Sequence, residues 1–200
     1  PSQTLPEMLA ASVARYGKKT ALEFFGAPTT YRELGDQVSR AAEGLRRLGV
    51  RAGDRVALVL PNSPQHVVAF YAALRLGAIV VEHNPLYTPR ELRHQFEDHG
   101  ARFAIVWDKL ADTVAEFPAD LALEKIISVD ITTALPFAKR LALRLPVAKA
   151  KAAREQLTSA PRSKRPQAWE KLLTHGTLSR KHPGPVLDDI ALLQYTSGTT

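Results

Sequence analysis

Six short apolar runs constrain this chain more than any other feature of its sequence: Ala21–Phe24, Val56–Leu60, Ala78–Val81, Phe103–Val106, Lys125–Val129 and Ile190–Gln194. They are rich in branched residues and, for the most part, do not alternate with polar ones. Strands covered on both faces look like this, because both sides of the pleat need apolar side chains. Between the runs lie segments with helical periodicity. Strands alternating with helices imply an α/β fold built on a parallel sheet with right-handed crossovers.

The helices announce their own boundaries. Thr4–Glu7, Thr30–Glu33 and Thr88–Glu91 each set a Thr three residues ahead of a Glu, the spacing at which each side chain satisfies a free backbone N–H of the first turn. Ser63-Pro64 is a fourth start of the same kind, and Pro89 suits a first helical position, where no N–H is needed. Leu34, Val38, Ala41, Leu45 and Leu48 put one apolar stripe on a helix over Tyr31–Leu48. A second helix, over Pro64–Leu76, carries Val67, Val68, Phe70, Tyr71 and Leu74 on a wider face and is expected to be buried more deeply. Gly17, Gly49, Gly77, Gly100 and Gly176 each follow a helix-like segment, where a left-handed stop is expected.

Composition narrows the function classes. With 200 residues, 45% apolar and 24% charged, the chain has the makings of one globular unit with a real core. The absence of cysteine removes disulfides, thiolate metal sites and a cysteine nucleophile, and it is compatible with a reducing compartment. The first residues lack the basic and apolar blocks of a signal peptide, and no apolar run approaches the ~18 residues of a membrane span. A cytoplasmic protein is therefore expected, with or without a peripheral hold on the inner face of the membrane.

Charge is concentrated in one stretch. Residues 134–165 carry nine basic residues against the single acid Glu155, so this segment alone exceeds the chain's net charge of +7. It lies within 131–182, which departs from the strand–helix rhythm and reads as a basic insertion. Leu135–Pro146 mixes apolar and basic side chains between two prolines. A helix of that kind can dip into the headgroups of an anionic membrane. The charges can equally be the solvated face of an insertion packed on the core. Nucleic acid is not expected as a partner, since cations and aromatics are not regularly interleaved. Ser159–Pro166 has the composition of an exposed loop, after which Trp169–Leu173 resumes a short helix.

Little else in the chain has the form of a chemical motif. The six histidines include no pair at the i, i+4 spacing of a helical zinc site, and His94 and His99, five apart, fall on different helix faces. The Gly-x-Ser-x-Gly elbow, the Gly-x-Gly-x-x-Gly turn and the Walker phosphate loop are all absent. What remains is Tyr195-Thr196-Ser197-Gly198-Thr199-Thr200, after the last apolar run. Such a loop can wrap a phosphate, with Gly198 turning backbone N–H groups inward and the hydroxyls adding donors; it can also be an ordinary polar turn. In a parallel α/β sheet, ligands bind at the carboxyl ends of the strands, and both this loop and Pro61-Asn62-Ser63 hold such positions.

Tyr195–Thr200 resembles the first half of the phosphate loop of the adenylate-forming (AMP-binding) enzymes, a family that includes acyl-CoA synthetases, luciferases and peptide-synthetase adenylation domains. Thr30–Leu34, Gly53–Ala57, Asn62–Ala78 and Asn84–Leu92 are similar to the same family in the same order. The Asn84–Leu92 string and the Leu135–Leu141 segment most resemble bacterial long- and medium-chain fatty acyl-CoA synthetases; His83 departs from that subgroup, which more often has Val or Asn there. The resemblance implies that residues 1–200 are a single α/β region, the first part of the AMP-binding large domain. The fold would be the parallel-sheet N-terminal subdomain, incomplete at its C-terminal end, with the mobile C-terminal domain absent. It implies a ligase that uses ATP, Mg2+ and coenzyme A. A fatty acid is adenylated and then passed to CoA, with Thr196, Ser197, Gly198, Thr199 and Thr200 on the ATP phosphates and Thr196 also on the magnesium. No catalytic acid or base is expected within these residues, and the 200 residues alone are expected to be inactive. An adenylating enzyme for an aryl or amino acid and a non-catalytic module for oligomerisation or membrane docking remain alternatives, and a homodimer is left open.

Overall fold

The computed structural model describes residues 2–195. In chain order the elements are α1 (Leu5–Tyr16), β1 (Thr20–Phe24), β2 (Ala27–Thr30), α2 (Tyr31–Leu48), β3 (Arg55–Val59), α3 (Pro64–Arg75), β4 (Ile79–Glu82), α4 (Pro89–His99), β5 (Phe103–Trp107), α5 (Asp108–Ala115), β6 (Lys125–Val129), a 3-10 turn (Ile131–Ala134), α6 (Phe137–Ala142), α7 (Ala148–Leu157), β7 (Gln167–Ala168), α8 (Trp169–Leu172) and β8 (Leu192–Gln194). Six of the strands form one parallel sheet in the order β7-β6-β5-β3-β4-β8.

The sheet is covered on both sides, as the apolar runs require. Along β3, Val56 and Leu58 pack with α2 and α3, whereas Ala57 and Val59 pack with Leu92 and Phe96 of α4 and Val114 of α5. Alternate residues of one strand thus serve two cores, and neither face has room for polar side chains. The helices begin where the caps place them: Thr4, Thr30 and Thr88 form complete capping boxes with Glu7, Glu33 and Glu91, and Ser63 accepts the His66 N–H. Gly49 ends α2 at φ 109°, a left-handed stop that lets its N–H bond back to Leu45 and Arg46.

Several expectations are corrected. Gly17 stays right-handed at φ −42°, so α1 ends without a left-handed residue. The buried face of α3 is Val68, Ala69, Ala72, Ala73 and Leu74, with Val67, Phe70 and Tyr71 only partly covered, because small alanines let the helix lie close on the sheet. The Ala21–Phe24 run does not join the parallel sheet. It forms an antiparallel hairpin with β2, half exposed, and its tip holds Phe25 at φ 52°. β8 is not a buried strand among the described residues: it lies at the edge of the sheet with Leu192 39% exposed.

The basic insertion behaves differently in its two halves. Its C-terminal half is docked on the start of α5. Asp108 accepts from the Thr158 hydroxyl and, at 3.2 Å, the Ser159 N–H; the Trp107 indole N–H donates to the Leu157 carbonyl at 2.8 Å; Asp112 accepts the Arg162 and Ser163 N–H groups. β7 then adds to the sheet beside β6. In the N-terminal half Ile131 and Leu135 are buried, but α6, which follows them, buries no residue. Among the described residues no helix is long and apolar enough to cross a membrane.

Candidate functional site

The connections of the sheet diverge at its carboxyl edge. From β3 the chain leaves to α3 on one face, while from the neighbouring strands β4 and β5 it leaves to α4 and α5 on the other. Such a divergence opens a crevice that no connection crosses, which is where parallel α/β sheets bind ligands. A cleft of about 980 Å3 lies there. It is lined by Pro61 and Asn62 beyond β3, Glu82 to Tyr87 from the end of β4, Trp107 at the end of β5, and Gln194 and Tyr195 at the end of β8. Smaller grooves beside α1, of about 250 and 440 Å3, are lined mainly by apolar side chains.

Two histidine pairs stand at this edge. His66, held in the first turn of α3 by the Ser63 cap, lies with Nε2 at 2.9 and 3.1 Å from the two oxygens of Glu82, the last residue of β4. The carboxylate can only accept, so it draws the ring proton to Nε2 and fixes the imidazole against the cleft wall. The second pair is deeper. His83 and His99 are both buried, with their Nε2 atoms 3.0 Å apart.

The neighbours of that second pair dictate where its protons sit. The Ala101 N–H donates to His99 Nδ1 at 3.0 Å, so that nitrogen must carry its lone pair. His83 Nδ1 faces the carbonyls of Val81 at 3.0 Å and Leu58 at 3.3 Å, so it must carry a proton. One neutral arrangement then satisfies the four ring nitrogens: His99 Nε2–H donates to His83 Nε2. Burial reinforces neutrality. It pushes His83 down to about 4, against the partial support of the two carbonyls, and His99 to about 3, with the neighbouring His83 adding to the effect.

Tyr195 closes the array. Its ring lies over both histidines, with centroids 6.0 Å from His83 and 6.2 Å from His99, and its hydroxyl donates to Asp98 of α4 at 2.6 Å. Burial, then the hydrogen bond to Asp98, hold that phenol above its ordinary value.

Thr196, Ser197, Gly198, Thr199 and Thr200, the residues expected to hold phosphates and, for Thr196, magnesium, lie outside the described residues. Tyr195, immediately before them, lines the cleft. Pro61-Asn62-Ser63 serves two roles: Ser63 caps α3, while Pro61 and Asn62 line the cleft. The sequence reading missed both histidine pairs. The partners in each, His66 with Glu82 and His83 with His99, are 16 residues apart and meet only because the end of β4 reaches the first turn of α3 and the residue after it reaches the last turn of α4. A signal for His99 was nevertheless present, since it continues the Leu92–Phe96 stripe at helical spacing and so belongs on the buried face of α4.

The sequence pattern of the AMP-binding enzymes matches residues 9–200. Over 202 residues the chain is 36% identical to a long-chain-fatty-acid–CoA ligase of Escherichia coli O6:H1, which covers 99% of this chain and 35% of that protein. The corresponding ligase of Bacillus subtilis (strain 168) is 34% identical over 204 residues, covering 100% and 35%. The fold superposes on a crystal structure of a long-chain-fatty-acid-CoA ligase from Archaeoglobus fulgidus with a TM-score of 0.70 at 22% identity, over 100% of this chain and 35% of that one. That last likeness bears on the fold alone. The chain thus spans about 35% of the length of the curated relatives it matches.

Proposed function

The chain belongs to the AMP-binding enzyme family, and from that premise we propose that residues 1–200 are the first part of the large domain of an ATP-dependent fatty acyl-CoA synthetase. The observation that carries the reading is Tyr195, which lines the cleft at the switch point of the sheet and immediately precedes the hydroxyl-rich residues 196–200 in sequence. A fatty acid carboxylate attacks the α-phosphate of ATP, forming an acyl-adenylate and releasing pyrophosphate. The thiol of coenzyme A then displaces AMP and forms the thioester. For a reaction of this kind the protein's contribution is positioning and charge stabilisation. Ser197 to Thr200 hold the phosphates, and Thr196 helps to hold the magnesium that neutralises them. The residues around the cleft fit such a group: Asn62, Asn84 and Gln194 offer amides, and its volume is that of a small-molecule site.

A lipid surface is the second partner in this reading. Phe137 is 79% exposed and Leu141 55%, four residues apart on α6, with Lys139 and Arg140 between them. Lys139 Nζ donates to the Phe25 carbonyl at 2.7 Å, so the hairpin tip, with its own exposed Phe25, sits beside this helix. Exposed apolar side chains rimmed by cations favour an anionic bilayer.

The test is pyrophosphate exchange driven by a fatty acid. The intact protein is expected to show it, and aryl or amino acids are expected to support it poorly. Exchange that prefers aryl or amino acids sinks the fatty-acid assignment. The 200 residues by themselves are expected to show none above background, and measurable turnover from them overturns that expectation.

A further inference from the structure

We infer that His83, His99 and Asp98 are positioning residues for nucleotide binding: together they clamp Tyr195, the cleft-lining residue that immediately precedes residues 196–200 in sequence. The inference rests on the functional reading above, because it assigns those residues to the phosphates.

The clamp has two parts that act on different atoms of one side chain. The histidine pair forms a floor under the Tyr195 ring, with the two ring centroids 4.9 Å apart and the planes at 69°. That floor does not tilt freely. The two Nδ1 atoms are tied to backbone groups of fixed role, the Val81 and Leu58 carbonyls and the Ala101 N–H, and these in turn fix which Nε2 donates to the other. Rotating either ring would leave a buried donor or acceptor without a partner, which is costly where water cannot replace it. The second part is the Tyr195 hydroxyl, held at 2.6 Å by a charged acceptor on α4. Ring and hydroxyl are thus fixed to α4 and to the residues just past β4, which line the opposite wall of the cleft.

Such a clamp has a use at this point of the chain. Among the described residues β8 pairs with β4 alone, and the clamp adds a second hold just past its end. A loop that must present several N–H and O–H groups to one anion binds in proportion to the fraction of time it is correctly directed. Fixing the residue before the loop raises that fraction. His83 lines the cleft, but neither imidazole has a ring nitrogen to offer there, since all four are spent on each other and on the backbone.

The experiment has a spectroscopic arm and a binding arm, both on the intact protein. Histidine-selective nitrogen-15 spectra at neutral pH should show His83 protonated at Nδ1 and His99 at Nε2, both neutral; any other tautomer pair overturns the floor. In the binding arm, Tyr195→Phe and Asp98→Ala should each weaken MgATP binding by about tenfold, the scale of one charge-assisted hydrogen bond. The KM for the acid and the melting temperature should stay near wild type. The double variant should be no weaker than either single one, and Asp98→Asn, which keeps an acceptor, should restore most of the affinity. A uniform fall in stability with unchanged affinity assigns the residues a merely structural role and overturns the inference. A wild-type protein that binds no MgATP overturns the functional reading itself, whereas wild-type binding with unaffected variants overturns only the clamp.

Discussion

Asp108 offers a sharp test of how the basic insertion is tied to the sheet. Burial raises its carboxyl from 3.8 to about 6, with Asp130 adding to the rise, against the lowering effect of the hydrogen bonds from Thr158, Ser159 and Lys109. One oxygen, Oδ2, accepts from Thr158 and Ser159, while Oδ1 is buried without a partner. Because the folded value lies above the unfolded one, the folded state binds more protons between about 4 and 6, and stability from this group falls as pH rises through that window. At about 1.4 kcal/mol per pKa unit the full penalty above pH 6 is about 3 kcal/mol. Partial access of water to the site screens it, and about 1–2 kcal/mol is the figure to expect. In Asp108→Asn the amide oxygen can replace Oδ2 and no charge can form. The variant's stability relative to wild type should therefore increase from pH 4.5 to pH 8 by about 1 kcal/mol, read from urea denaturation at several pH values. The comparison needs only the change with pH, so any fixed cost of the amide drops out. A difference that stays flat across this range would refute the buried, ionisable tether.

Two further perturbations probe other parts of the structure. Gly44 lies where α2 crosses α8, and a Cβ built there would meet the Leu172 carbonyl oxygen at 2.5 Å, so Gly44→Ala should destabilise by about 1–3 kcal/mol in spite of alanine's better helix propensity; a thermal midpoint at or above wild type would contradict that close approach. For the lipid surface, intact protein should sediment with anionic vesicles at low salt and release them as salt rises, and Phe137→Ser with Leu141→Ser should abolish sedimentation; equal binding to zwitterionic vesicles, or no loss in the double variant, would count against it.

What is legible in the sequence depends on the range of each interaction. β3, β5 and β6 lie where continuous apolar runs place them, and α2 matches its expected span, because a capping box acts over three residues and an amphipathic stripe repeats every three or four. The Ala21–Phe24 run misled. Four residues bury too little to declare which sheet they join, and only the packing of the run against α2 and α3 decides for a hairpin rather than a seventh parallel strand. Similarly, Ile190–Gln194 reads as a covered strand by composition, yet among the described residues it is an edge.

The local chemistry of the chain therefore settled the central strands, the capped helix starts and the α/β alternation, though not β2, α5, α7 or β7, and the ordered motifs pointed to the family. Tertiary structure alone decided which strands sit beside one another, that their carboxyl ends open one cleft, and that His66 meets Glu82 and His83 meets His99 there. The same holds for Tyr195, whose hydroxyl finds Asp98 97 residues away. These are pairings between side chains that no short window contains. Their partners are chosen by the order of strands in the sheet, and that order is set by which faces the whole chain must bury together.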